Sequence, residues 1–185
     1  MIWLFLGVLL WMDAHMFKRI LPQVRERMGN AGKGVVAGTL LLSIVLMVIG
    51  YRSAEVIPVY TPMAGMGHLN NLLMLFSIFL LGAGSAPGVV RTKIRHPMLT
   101  GVIVWAVAHL LVNGDLASII LFGGLGLWAI AQMLLINHAE GAWQRPEAGT
   151  WARDLRVAVI AIVLYAVIAG IHTWLGYSPF LGTYG

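Results

Sequence analysis

The stretch from His96 to Asp115, HPMLTGVIVWAVAHLLVNGD, decides how this chain folds. Between Pro97 and Asn113 it carries no Asp, Glu, Lys or Arg. The run is unbroken and apolar, without the alternation of a half-buried strand, and it approaches the ~20 residues a bilayer core requires. NGD then closes it with turn chemistry. The segment reads as a membrane helix with one imidazole at its edge, His96, and another deep inside it, His109. Ionisable groups are costly in lipid and point to function by default.

Working outward, the rest of the chain has the same character. Its 185 residues are 59% hydrophobic and 10% charged, and the mean hydropathy is +0.86. A soluble domain of this length cannot bury so much apolar side chain. Six apolar segments are predicted as helices: 2–21, 35–51, 68–84, 97–113, 115–136 and 155–175. Turn-rich stretches join them: MGNAGKG, IPVYTPMAGMG, GAGSAPG, NGD and EGAWQRPEAGT. An outer-membrane barrel is excluded by the lack of period-two patterning. The expectation is an all-α polytopic bundle of about six transmembrane helices, one domain over residues 1–185. The first segment has no basic leader and no small-residue cleavage site, so it reads as a retained helix stopped by Pro22. Gly34 and Gly38, four apart, suggest a close helix contact.

Charge orients the bundle. Loops one, three and five hold Lys18, Arg19, Arg25, Arg27 and Lys33, then Arg91, Lys93 and Arg95, then Arg145, Arg153 and Arg156. Arg52 alone falls on the opposite side. The positive-inside rule places those loops in the cytoplasm and both termini in the periplasm of a bacterial inner membrane. The sequence pI of about 10.0 is thereby explained by topology and anionic membrane lipid. No stripe suited to nucleic acid is present. Cysteine is absent, which excludes disulfides, thiolate-ligated heme and cysteine-held iron–sulfur clusters.

The chemistry-bearing candidates are Asp13, His15, His68, His96, His109 and His172; His138 is assigned to a cytoplasmic loop. His15 ends WMDAH and His109 ends WAVAH. Each has a tryptophan, Trp11 or Trp105, four residues earlier on its own helix face and an alanine just before it. Such a histidine can present a nitrogen to a planar cofactor beside an indole wall. Zinc needs three or four close ligands, and no HxxxH or HxxE spacing supplies them. A porphyrin needs an apolar bundle and one or two imidazoles, so heme b is the favoured cofactor. By depth, His15 is expected to lie level with His96, and His68 with His109; a His15–His109 pair requires tilt or a heme plane between them. Asn113 reads as a helix C-cap or as support for the His109 ring. Asp13 is expected at interfacial water, His68 at a helix start, His96 at a boundary beside Arg95, and His172 at an interface with Trp174.

Residues 95–130, RHPMLTGVIVWAVAHLLVNGDLASIILFGGLGLWAI, closely resemble the NnrU family of bacterial membrane proteins. LPQVRERMG, a second helix ending in GYR, and GHLNNLLML agree with it, so the likeness covers about residues 1–136. The family is associated with nitrite and nitric oxide metabolism. It is similar to the plant zeta-carotene isomerases, polytopic proteins that use heme b to isomerise a carotenoid double bond. That resemblance implies heme ligation by His15 and His109, with His96 and His68 at the positions of two further motif histidines. One departure matters. The plant enzymes have a cysteine three residues before the second ligand, where this chain has Ala106, so a cysteine-for-histidine ligand switch is unavailable.

The function expected is therefore heme b binding, with cis–trans isomerisation of an apolar polyene entering from lipid, or a part in nitrite and nitric oxide metabolism. An isomerase would need an open or labile sixth position on the iron. The alternative is a non-catalytic membrane partner of nitrogen-oxide reductases, docked through the charged cytoplasmic loops. RHP followed by an apolar residue and glycine also resembles membrane methyltransferases that hold S-adenosylmethionine, although Glu140 and Trp143 are a poor match to their downstream motif.

Overall fold

The computed structural model describes residues 1–181. Seven helices account for nearly all regular structure among them: α1 Ile2–Ile20, α2 Pro22–Arg27, α3 Ala31–Arg52, α4 Met66–Ala83, α5 Pro97–Val112, α6 Leu116–Glu140 and α7 Trp151–Trp174. Proline sets two of the boundaries. α1 stops at Ile20, Leu21 leaves the helical region, and Pro22 opens the short α2. Pro97 opens α5, where its missing N–H costs nothing because the first turn has no intrahelical acceptor.

Helices α3, α4, α6 and α7 are long and apolar enough to cross a membrane. α5 is apolar throughout but has 16 residues, a rise of about 24 Å. α1 has 19 residues and includes Asp13, Lys18 and Arg19. Several helices run further than the apolar pattern suggested, the last among them, which begins at Trp151 and not at 155. α3 begins at Ala31 and takes in Lys33, while α6 continues to Glu140. His138 therefore lies on the last turn of α6 and not in a loop. The outer surface suits lipid: Leu127, Leu134, Leu155 and Val163 are each more than half exposed.

The long helices neighbour one another in the order α3, α1, α6, α5, α4, α7. α6 thus separates α1 from α5, the two helices that carry the WxxxH faces. Small residues let the backbones approach. Gly7 of α1 sits on α3, where a Cβ would lie 2.9 Å from the Ser43 carbonyl oxygen, and a Cβ on Gly50 of α3 would collide with the Leu4 backbone. Gly34 and Gly38, expected to make such a contact, face open space instead. They lie on the side of α3 turned away from α1. Between α4 and α5, the Ser77 hydroxyl donates to the Gly101 carbonyl at 2.7 Å. Without a hydrophobic drive between helices in lipid, such packing and hydrogen bonding carry the association.

Side chains tie both ends of the bundle. At the basic end, Glu140 takes Arg19 at 3.4 Å and Arg95 at 3.8 Å. There too, Arg95 donates to the Gly141 carbonyl at 2.8 Å and Arg91 to that of Glu147 at 3.3 Å. Asp154, 5% exposed, accepts the Val89 N–H at 2.7 Å. At the other end, the extended segment after α3 docks on the α5–α6 turn through Val59 N–H to Gly114 O and Leu116 N–H to Ile57 O. Tyr60 donates to the carbonyls of Leu110 and Asn113, acceptors left open by the end of α5.

Candidate functional site

The site is built on α6. Asp115 caps its start, accepting the Ser118 N–H at 2.9 Å and the Ser118 hydroxyl at 2.6 Å, and Tyr51 of α3 meets that hydroxyl at 2.9 Å. The next five residues, Ile119–Gly123, form a π-helical turn, a local widening often found at functional sites. Phe122 lies in that turn and Trp128 follows in the α-helix; they are 7% and 5% exposed.

Each of the two WxxxH histidines meets one of these aromatics. His109 of α5 stacks on Phe122, with ring centroids 4.3 Å apart and planes at 22°, and Trp105 lies beside both rings at 5.0 and 4.9 Å. His15 of α1 sits between Trp11 at 4.3 Å and Trp128 at 4.6 Å. The Trp11 and Trp128 rings meet edge to face at 5.5 Å. Ala106, 3% exposed, allows α5 to approach α6: a Cβ on Gly126 would lie 3.1 Å from the Ala106 Cβ.

The backbone sets the tautomer of both imidazoles. Nδ1 of His15 lies 2.9 Å from the Trp11 carbonyl oxygen, and Nδ1 of His109 lies 2.9 Å from that of Trp105. A carbonyl only accepts, so Nδ1 carries the proton. The neutral ring then keeps its lone pair on Nε2, the arrangement of a metal-ligating histidine whose other nitrogen is held. The Asn113 side chain donates to the His109 backbone carbonyl at 2.8 Å and caps α5. Of its two readings Asn113 is the C-cap, and the ring of His109 is held by the Trp105 carbonyl.

Position along α6 separates the histidines. Phe122 and Trp128, the partners of His109 and His15, are about 9 Å apart at 1.5 Å per residue. Asn137, which meets Nε2 of His96 at 2.8 Å, is about 14 Å beyond Trp128. His15 is thus nearer in level to His109 than to His96, because its ring folds back along α1 toward Trp11. His68 is exposed at the start of α4. His172 of α7 bonds its own helix at Ile168 O, 2.8 Å away, and lies within electrostatic reach of His109. Asp13 is exposed.

Between the levels of His15 and His109 lies an apolar cavity of about 220 Å³, lined by Trp11, Leu81, Val102, Trp105, Leu125 and Trp128. Buried without a hydrogen-bond partner are the indole nitrogens of Trp11 and Trp128, and, one turn along α6, the Gln132 side-chain oxygen. Two imidazoles with Nδ1 held by the backbone are the donor type that heme iron takes; neither ring lines the cavity, which their helix neighbours Trp11 and Trp105 do. The volume falls below the ~300–1,000 Å³ usual for cofactor pockets, so Leu81, Val102 and Leu125 must move to admit a porphyrin. Among the described residues, no group of three or more His, Cys, Asp or Glu is placed to hold a metal ion, so a zinc site of protein ligands is not formed there.

The NnrU family model, described as NnrU protein, matches residues 3–179. The chain belongs to the NnrU family. The match takes in the last helix, beyond the region whose motifs are recognisable by eye. No curated protein and no solved structure shows significant similarity to the chain. Sequence reasoning singled out Trp11, Trp105, His15 and His109 in this NnrU protein but missed Phe122, Trp128 and Gln132. The available signal was LFGGLGLWAI, a glycine-rich helix stretch with an aromatic on each side, where α1 and α5 can come close.

Proposed function

We propose that this NnrU protein is a heme b protein of the bacterial inner membrane, with His15 and His109 as its iron ligands. Six helices span the membrane, the basic end faces the cytoplasm and both termini are periplasmic. The observation that carries the cofactor assignment is the shared state of the two imidazoles: each Nδ1 is held by the backbone carbonyl of a tryptophan one turn earlier, and those two tryptophans, Trp11 and Trp105, line one apolar cavity. Ferrous heme there supplies reversible electron donation into a conjugated double bond, which lowers the barrier to rotation about it. The chain's own part would be to pack the ring planes of Trp11, Trp105 and Trp128 against the cofactor's apolar face and to fix the orientation of both imidazoles through Nδ1. His15 and His109 would hold the iron, and an isomerase would need one of them to be released.

The test is the visible spectrum of the detergent-purified protein, oxidised and dithionite-reduced, for wild type, His15→Ala and His109→Ala. A Soret band with sharp reduced α and β bands, weakened in either variant, supports the assignment. Absence of heme after expression with ample heme supply removes it, leaving the partner role in nitrite and nitric oxide metabolism.

One observation favours a second reading. A cavity of about 500 Å³ at the basic end is lined by Arg95, His96, Glu140 and Trp143, the RHP histidine and the two residues nearest to the methyltransferase pattern. Equilibrium dialysis against S-adenosylmethionine tests it; saturable binding abolished by His96→Ala supports it, and no binding ends it.

A further inference from the structure

The corner where α1 turns through α2 into α3 exposes apolar and basic side chains together. Ile20, Leu21 and Val24 are 57%, 49% and 44% exposed. Lys18, Arg27 and Lys33 are exposed in the same corner, and their side chains make no hydrogen bond or ion pair among the described residues. Between residues 18 and 33 stand five basic residues and one acidic residue, Glu26. The other two cations are engaged within the protein. Arg19 pairs with Glu140 at 3.4 Å, and Arg25 donates to the Gly29 carbonyl at 3.0 Å. Arg25 also lies over Gly32, where a Cβ would come within 2.7 Å of its Nη1, so α2 is fixed against the start of α3. The short helix is two-sided. At about 100° per residue, Leu21 and Val24 share one side, Arg25 and Arg27 flank it, and Glu26 lies opposite. Leu21 alone links α1 to α2, and residues 28–30 link α2 to α3. With α1 and α3 in the bilayer, such links, at roughly 3.5 Å per residue, keep α2 in the headgroup layer. Apolar side chains there reach the acyl boundary, while long basic side chains extend to phosphate. A zwitterionic surface leaves Lys18, Arg27 and Lys33 unmatched, and an anionic one matches them.

We propose that α2 and its flanks form an anchoring surface for anionic phospholipid headgroups, with Lys18, Arg27 and Lys33 on the phosphates and Leu21 and Val24 set into the acyl boundary. The proposal rests on the reading that α1 and α3 cross the membrane, and it adds the lipid class that this corner selects.

The chain has no cysteine, so single cysteines can carry a fluorophore at chosen positions of the full chain in lipid nanodiscs. Val24→Cys reports on α2. Val56→Cys, at the opposite end of the bundle and 78% exposed in the native chain, is the control, and Leu9→Cys, 39% exposed, reports on the middle of α1. The quenchers are phosphatidylglycerol and phosphatidylcholine with a nitroxide on one acyl chain. The expected result at Val24 is a preference of about tenfold for the anionic lipid, reduced by salt, with almost none at Val56. Lys18→Gln, Arg27→Gln and Lys33→Gln should each lower that preference about two- to fivefold, and the three together should abolish it. Equal quenching by the two lipids at Val24, the same preference at Val24 and Val56, or a preference that survives the triple variant overturns the proposal. Quenching at Leu9 without quenching at Val24 keeps α1 in the bilayer and overturns the proposal, leaving the corner to an acidic partner from water. No quenching at Leu9 removes the membrane-spanning reading of α1 and this proposal with it.

Discussion

His15 and Trp128 meet ring to ring across the α1–α6 interface, with centroids 4.6 Å apart. The same relation recurs on the other side of α6, where His109 lies 4.3 Å from Phe122. One helix therefore positions both imidazoles, each against an aromatic ring.

Phe122→Ala should act on both stability and the site. It empties a buried side chain on which His109 and Trp105 rest. The expected cost is about 3–5 kcal/mol, read as a lower midpoint of thermal unfolding in detergent. The reduced α band, if heme is bound, should broaden as the His109 ring loses its wall. An unchanged midpoint would show that Phe122 does not anchor α5 on α6.

Two glycine substitutions on one helix should differ sharply. Gly50→Leu places a side chain against the Leu4 backbone and should prevent α1 from docking on α3, whereas Gly38→Leu points into open space and should be tolerated. Monodisperse yield from detergent gel filtration measures the difference. Equal yields for the two variants would contradict the α1–α3 interface described above.

The clasp at the end of the bundle opposite the basic loops should depend on pH. The Tyr60 phenol is pushed up from its usual value, first by burial and second by the Asp115 carboxylate. A raised folded value means that the protonated phenol is the form the fold favours. Its contribution is complete below the ordinary value of about 10 and is lost as pH rises through the higher folded value. Wild type should therefore lose stability relative to Tyr60→Phe at strongly alkaline pH. Near neutrality the variant should be weaker by about 1 kcal/mol. A constant difference between the two proteins from pH 7 to 11 would remove Tyr60 as the titrating group.

Topology is open to a direct test because the chain has no cysteine. Single cysteines at Gln144 and Thr61 lie at opposite ends of the bundle. A membrane-impermeant maleimide added to intact spheroplasts should label Thr61→Cys and spare Gln144→Cys until the membrane is opened. The reverse pattern would put the basic end outside, against the charge rule.

Length, apolar runs and proline positions already determined the membrane class, the ends of α1 and the start of α5. These are local properties: hydrophobic length and the missing proline N–H act without reference to any other helix. The WxxxH faces were legible for the same reason, since four residues make about one turn of a single helix. What only the tertiary structure decided is which helix lies between α1 and α5. The choice of α6 brought Phe122 and Trp128 into the site and set His15 closer in level to His109 than to His96, while the docking of α1 on α3 moved the small-residue contact from Gly34 and Gly38 to Gly7 and Gly50. Spacing along one helix carries no information about which face meets a neighbour. That depends on where backbones can approach, and the partners that decide it lie tens of residues away in the chain.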